Sequence, residues 1–506
     1  MGHTRSSNSA ALTCEAPPIW SRRPVPELPV ADTPALPPVR RVGTTTTLAY
    51  GFGAVAYGIK DNGFGTFLLL FYNQVMGLPS AQVGFVVMCA LLLDACIDPV
   101  IGIASDRTRT RWGRRHPWMY SAAVPIALGW LLLWNPPELS PGWTLAWLFG
   151  AAVLVRSAVS AYEVPSQALT PELTADYDER TRITAYRYIF GWAAGLLMLL
   201  AAYQIFLVPE PGQANGLLNR DGYTAFGATG AGIMLVAILV SALGTHAEIA
   251  RLPRQPAPKG GVRTAFAELL AATRNRAFLM LMAAGLFAYT IQGISFSLSN
   301  YLYSFVWEFE TATFGLLAGV LFVGVVLAFL GAPALAKRIG KPRAAALLIA
   351  TAGTLQALPF VLRLAGWFPA PGEAAMVPIL FGIYIVNTAA SIGTAILGAS
   401  MMADVVEHSE VDTGRRSEGV FFAGAFFVQK ATGGVGIFVS GLILAAAGFP
   451  ENATPGAVPA ATLDWLTILF AGTYFALAIT AAWLFLRFPF GPAEHRARIE
   501  RLARAG

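Results

Sequence analysis

The 506-residue chain is 55% hydrophobic and only 13% charged, with a mean hydropathy of +0.57, roughly half the charge of a soluble chain of its length. That excludes a string of soluble domains. The net charge of +6 does not indicate nucleic acid, because the basic residues sit in short loops between apolar runs, and Cys14, Cys89 and Cys96 are too few and scattered for a disulfide framework or a CxxC metal site.

Residues 1–44 form a tail rich in Pro, Ser and Ala that cannot bury a core and is expected to be disordered and cytoplasmic. Twelve apolar runs follow, each long enough for the ~20 residues of a membrane-spanning helix. Six lie near 47–75, 82–105, 117–136, 143–168, 184–208 and 225–250, and six more near 277–306, 312–336, 343–366, 375–404, 418–447 and 463–488. The pattern predicts an all-α membrane protein with 12 transmembrane helices in two six-helix bundles, 45–250 and 277–490, joined by a polar linker, 251–276, and followed by a tail, 491–506.

Charge in the loops sets orientation. Arg107, Arg109, Arg111, Arg114 and Arg115 share one loop, Arg180 and Arg182 lie two loops later, and basic residues recur in the central linker, at Lys337–Arg343, at Arg415 and Arg416, and in the C-terminal tail. Every second loop is basic, so both termini and the linker are expected to be cytoplasmic, in a multi-pass protein of the plasma or inner membrane. The two parts of the chain echo one another. SDRTRTRWGRRHP follows the second run and AKRIGKPRA the eighth, each a basic turn with Gly between basic residues. A six-plus-six repeat about a basic linker is the plan of major facilitator transporters.

Ionisable residues inside the apolar runs carry the functional reading, since a charge at bilayer depth costs roughly 2.5 kcal/mol or more. Lys60-Asp61 lies in the first run. Asp94 and Asp98 lie in the second, four residues apart and so on one helix face. Asp94 is ~16 Å along its helix from Val83, near the midplane. A carboxylate there can hold a proton or coordinate Na⁺. Arg156, Ser160 and Glu163 share a face of the fourth run, where Arg156 and Glu163 can also simply neutralise each other, and Glu163-Val164-Pro165 is expected to open the helix locally. Arg187 begins the fifth run and can snorkel to the helix end. Lys430, in the eleventh run, is twelve residues from the nearest cytoplasmic charge and has no such route. Four acids thus face four bases, the balance a polar central cavity requires. Sugars suit such a cavity: carboxylates, Arg and Lys bond their hydroxyls, and aromatics stack on their C–H faces. Tyr57, Tyr162, Tyr188, Trp192, Tyr289 and Tyr301 are candidates, with ordinary packing as the competing reading of each.

Four patches in order, GIKDNG, DACIDPVIGIASDRTRTRWGRRHPW, YEVPSQALTPELTADYDERTRITAYR, and ADVVEHSEVDTGRRSEG leading to QKATGG, resemble the glycoside–pentoside–hexuronide:cation symporters, the melibiose permease family. The resemblance covers about residues 45–490 and implies a major facilitator fold, alternating access, and sugar entry coupled to Na⁺, Li⁺ or H⁺. It implies Lys60, Asp61, Arg156, Glu163, Arg187 and Lys430 around the substrate and Asp94, Asp98 and Ser160 at the coupling cation, with Lys430 linking the cation carboxylates to the sugar site. It also implies a cytoplasmic gate in which Asp404, Glu407 and Arg416 pair across the two halves, with Arg180 a looser candidate. Three departures stand out. Ile97 replaces an Asn beside the second cation aspartate, which weakens the case for Na⁺ and leans toward H⁺. Gln167 replaces a stacking Trp, and Ala425 and Phe426 replace polar residues, so a galactoside is not favoured.

The leading expectation is a cation-coupled (H⁺ or Na⁺) sugar or glycoside symporter acting as a monomer in membrane lipid, without a cofactor and without nucleic acid. A cation-coupled lipid or amphiphile carrier on the same scaffold is the alternative, with Arg187 and Lys430 holding an anionic headgroup. A membrane-embedded enzyme is disfavoured, since the chain has no HExxH, GxSxG or His/Asp cluster.

Overall fold

A computed structural model describes residues 42–174, 176–210, 215–252, 273–413 and 418–489, with Gly2, Ala267 and Leu270 besides, and only the backbone of 177, 178, 410–413, 418 and 419. The 1–44 tail, the 251–276 linker and the 491–506 tail lie almost wholly outside these residues, as does Arg416. Among the described residues the structure is helical, without a strand, as the apolar periodless runs require.

The first membrane segment is broken into α1 (Thr44–Phe52) and α2 (Ala54–Thr66), and ends in a short turn, Leu68–Leu70, and a π-helical turn, Phe71–Val75. Eleven further helices are long and apolar enough to cross a membrane. In chain order they are α3 (Ser80–Arg107), α4 (His116–Trp134), α5 (Pro141–Leu173), α6 (Tyr177–Ala201, extended by a π-turn Ala202–Phe206), and α7 (Arg220–His246). After the linker come α8 (Arg276–Tyr301, with a π-turn Leu302–Val306), α9 (Thr311–Ile339), α10 (Lys341–Leu364), α11 (Met376–Thr413), α12 (Glu418–Ala446) and α13 (Ala460–Leu486). Short connections make successive helices antiparallel within each set of six, and the bond between Tyr203 after α6 and Asn300 at the end of α8 puts those two ends on one side, so α1 begins and α13 ends on one face, the terminal face. The opposite face is called distal.

The expected spans agree with these helices to within seven residues, the largest of these differences being the start of α6 at Tyr177 against 184, with two corrections. α11 continues nine residues past the expected end at 404, to Thr413, and so carries Glu407 on helix as well as Asp404. The expected opening at Pro165 does not occur: α5 runs unbroken through Pro165 and Pro171, because neighbouring helices hold a proline-containing membrane helix together. The two echoing basic turns share their geometry. Gly113 (φ +78°) and Gly340 (φ +86°) both adopt the left-handed conformation open to glycine. In the first turn Arg115 draws the ends of three helices together, donating to Ser105 Oγ at 2.8 Å and Glu172 Oε1 at 3.0 Å and pairing with Asp106 at 2.5 Å.

The first and second sets of six segments meet chiefly where α3 packs along α12, where α2 packs against α8, and where α6 and its π-turn pack against α9. Side-chain hydrogen bonds across this seam gather at the distal end. Gln74 donates to the Pro450 carbonyl at 3.0 Å and accepts from Ala453 N at 2.8 Å, while Tyr301 donates to Asn73 Oδ1 at 2.7 Å. Tyr203 donates to Asn300 Oδ1 at 2.7 Å and Gln204 to the Thr311 carbonyl at 2.7 Å. Asn73, Gln74, Tyr203 and Gln204 all lie in π-helical turns, whose widened backbone turns side chains away from the regular helical row.

Candidate functional site

Midway along the seam the intramembrane charges collect into three groups. Asp94 on α3 is 2% exposed. Arg156 on α5 donates to its Oδ2 through both Nε (2.9 Å) and Nη2 (2.7 Å), and Ser160, one turn further on the same face of α5, donates to its Oδ1 at 2.9 Å. Lys430 on α12 reaches across the seam to the same Oδ2 at 3.2 Å, to Asp98 Oδ2 at 2.5 Å and to Ser160 Oγ at 3.3 Å. Two carboxylates from one helix are thus neutralised by two cations from two others. Asp98 Oδ1 is buried and makes no hydrogen bond within the protein.

The second group joins α5 to α6. Arg187 is turned inward rather than snorkelling: Nη2 donates to Glu163 Oε1 at 2.9 Å, Nη1 to Ser166 Oγ at 2.6 Å, and its guanidinium lies 4.9 Å from the centre of the Tyr50 ring. Gln167 donates to the same Glu163 Oε1 at 2.9 Å. One oxygen of Glu163 therefore serves two donors, while Oε2 is buried without a partner. The third group is Lys60 and Asp61 on α2, 3.0 Å apart, with Lys60 buried over the Tyr57 ring and the Asp61 side chain 51% exposed. The same-face neutralisation of Arg156 by Glu163 does not occur, since each finds its partner on another helix.

The remaining expected residues are more dispersed. Asp404 pairs with Lys341 at 2.7 Å, within the second half of the chain rather than across the seam. Its salt bridge follows from α11 continuing beside the start of α10. Arg180 donates to the Thr174 carbonyl at 2.8 Å, closing the α5–α6 turn, and Glu407 is exposed on α11. Of the aromatic candidates, Tyr162 and Tyr301 are fully buried packing residues whose hydroxyls bond Ser241 and Asn73. Tyr57, Tyr188 and Trp192 are exposed, and Tyr289 is half-buried. Sequence reasoning passed over Ser166, Tyr50 and Phe64, the last lying 5.3 Å beneath the Arg156 guanidinium. An isolated serine or aromatic in an apolar run carries no signal of its own. Only the helical offset of Ser166 from Glu163, three residues, pointed to it.

These groups provide a charge-neutral polar site in an apolar setting, with unpaired acceptor oxygens on Asp98 and Glu163 and an accessible carboxylate at Asp61. Such a site can take hydrogen-bond donors on its unpaired acceptors.

Over residues 49–491 the chain matches the family described as MFS/sugar transport protein. It is 28% identical to an uncharacterized symporter of Synechocystis over 492 residues, covering 80% of this chain and 86% of that protein. It is 26% identical to an isoprimeverose transporter of Lactiplantibacillus pentosus over 80% of each chain. The inward-open structure of the xylose transporter from E. coli aligns with a TM-score of 0.58 at 14% identity, covering 88% of this chain and 96% of that one, a likeness of fold alone.

Proposed function

The chain belongs to the MFS/sugar transport protein family, among the glycoside–pentoside–hexuronide:cation symporters of the major facilitator superfamily, and is a multi-pass membrane transporter rather than an enzyme; from that premise we propose that it carries a sugar or glycoside together with H⁺ or Na⁺ by alternating access. The observation that carries this reading is the reach of Lys430 from α12 to both Asp94 and Asp98 on α3. Among the described residues Lys430 makes the charged ties across the seam, and neutralising Asp98 breaks the shorter of them, leaving Lys430 only the 3.2 Å contact with Asp94. The loosened ammonium then joins Asp61 and Glu163 as groups that bond a sugar, whose hydroxyls supply the donors those carboxylates lack. Arg187 keeps Glu163 oriented while that happens.

Transport then requires the distal hydrogen bonds of Gln74, Tyr301 and Tyr203 to open as the terminal face closes, a rocking of one half on the other about the central site. With both termini cytoplasmic in the inner membrane, the terminal face is the inner one, and Arg180, Asp404 and Glu407 are the candidates for an inner gate, Arg416 being outside the described residues. The path runs through one chain, so a monomer suffices, and exposed apolar residues such as Phe329 and Leu330 face lipid. The test is transport current from proteoliposomes given jumps of a glycoside panel, isoprimeverose and xylosides included. A sugar-evoked current supports the reading, and silence across the panel from folded protein removes sugar as the substrate.

A further inference from the structure

Accepting the reading of Asp94, Asp98 and Ser160 as the coupling-cation site, the oxygens available there can be counted. A hard cation such as Na⁺ exchanges its water for several protein oxygens. Asp94 Oδ2 already takes Nε and Nη2 of Arg156 and lies 3.2 Å from Lys430, and Oδ1 takes the Ser160 hydroxyl. Asp98 Oδ2 holds Lys430 at 2.5 Å, leaving Oδ1 as the one carboxylate oxygen of the pair without a bond. Ile97, beside it, offers no side-chain oxygen.

The two cationic partners, the Lys430 ammonium and the Arg156 guanidinium, differ in how readily they yield. Lys430 has a 26% exposed side chain and reaches in from the other half. Arg156 is 5% exposed, packs over Phe64, and is fixed to Asp94 by two bonds to one oxygen. A Na⁺ that displaced Lys430 would therefore gain the Asp98 carboxylate, a serine hydroxyl and at most the second lone pair of Asp94 Oδ1, with the Arg156 guanidinium still against Asp94 and Lys60 buried nearby beside Asp61. Too few oxygens and a like charge in contact both oppose it.

We propose that Arg156 acts as a built-in cation: its guanidinium takes the place at Asp94 that an alkali ion would fill, and so makes Arg156 the residue that excludes Na⁺ and Li⁺ from this carrier. What remains for coupling is an ion that needs no coordination shell, a proton.

The test reads ion binding directly, independent of the sugar. Purified full-length protein is equilibrated with radiolabelled Na⁺ up to about 50 mM, enough to half-fill a site with a Kd near that value. The wild type is expected to show no saturable binding, and stoichiometric saturable binding would overturn the proposal. Arg156→Ala, which takes both guanidinium bonds off Asp94 Oδ2, is expected to gain saturable Na⁺ binding; a folded Arg156→Ala protein that still binds none would show that Arg156 is not what excludes the ion. Should that variant not fold, Arg156→Gln, which keeps a neutral polar side chain against Asp94, is expected to gain the binding in its place, and a folded Arg156→Gln protein that binds none would overturn the proposal. The sugar-current panel separates this claim from the reading beneath it. A glycoside current that Na⁺ raises several-fold refutes the exclusion while keeping sugar transport, and no current with any glycoside refutes the transport reading and with it the cation site.

Discussion

Replacing Asp94 by Asn tests the central charge cluster through stability. Asp94 and Arg156 are 2% and 5% exposed, and the carboxylate takes two of the guanidinium's donors. The variant keeps the shape but leaves Arg156 buried with only the Phe64 face and a neutral amide. Stranding one partner of a buried ion pair costs about 3–5 kcal/mol, much of it desolvation of the orphaned charge. Removing that charge as well, in Asp94→Asn/Arg156→Gln, should recover more than half of the loss, because two neutral amides can bond each other. Asp98→Asn is milder, at ~1–2 kcal/mol, since Asp98 and Lys430 are each about a quarter exposed and Lys430 retains Asp94. The assay is unfolding of the purified protein in detergent followed by tryptophan fluorescence. A double variant as unstable as the sum of its two single variants would refute the pairing.

Three further outcomes follow from the geometry. Gln167→Ala removes one of two donors on Glu163 Oε1, so the affinity for the transported sugar should fall several-fold, a loss of about 1 kcal/mol, with little change in stability, read from the concentration dependence of transport current. Gln74→Ala strands the Pro450 carbonyl and the Ala453 N–H at the distal seam; at about 1–3 kcal/mol for a buried unpaired group, it should shift the resting carrier toward the distally open state, seen as faster thiol labelling of a cysteine introduced at Thr66. Gly436→Val should block the close crossing of α8 and α12, where even a Cβ would stand 2.5 Å from the Thr290 carbonyl oxygen, with a loss of about 1–3 kcal/mol or failure to fold, measured by detergent unfolding.

The spans were legible in the sequence because lipid demands long apolar runs and the loops punctuate them with charge. The run ending at 404 was cut short for the same reason: the charges at Asp404 and Glu407 end the apolar pattern, whereas a helix leaving the membrane continues while water bonds its side chains. The intramembrane charges were legible one by one, since nothing apolar explains Asp94 or Lys430. Their partners were not. Arg156 and Glu163 share a face of α5, yet one finds Asp94 on α3 and the other Arg187 on α6. Helix periodicity fixes which residues share a face, but only packing decides what that face meets. The distal seal of Asn73, Gln74, Tyr203 and Asn300 escaped notice altogether, because neutral amides and tyrosines near helix ends are ordinary in sequence and acquire meaning only across the seam.

The account rests on a sugar being driven by a cation gradient through Asp98 and Lys430. The most direct measurement is uptake of a responding glycoside into proteoliposomes with and without an imposed inward H⁺ or Na⁺ gradient, for the wild type and Asp98→Asn. The account predicts that the wild type concentrates the sugar above its external level only while the gradient lasts, and that Asp98→Asn merely equilibrates it. Accumulation by Asp98→Asn equal to that of the wild type, or wild-type uptake indifferent to any gradient, would contradict it.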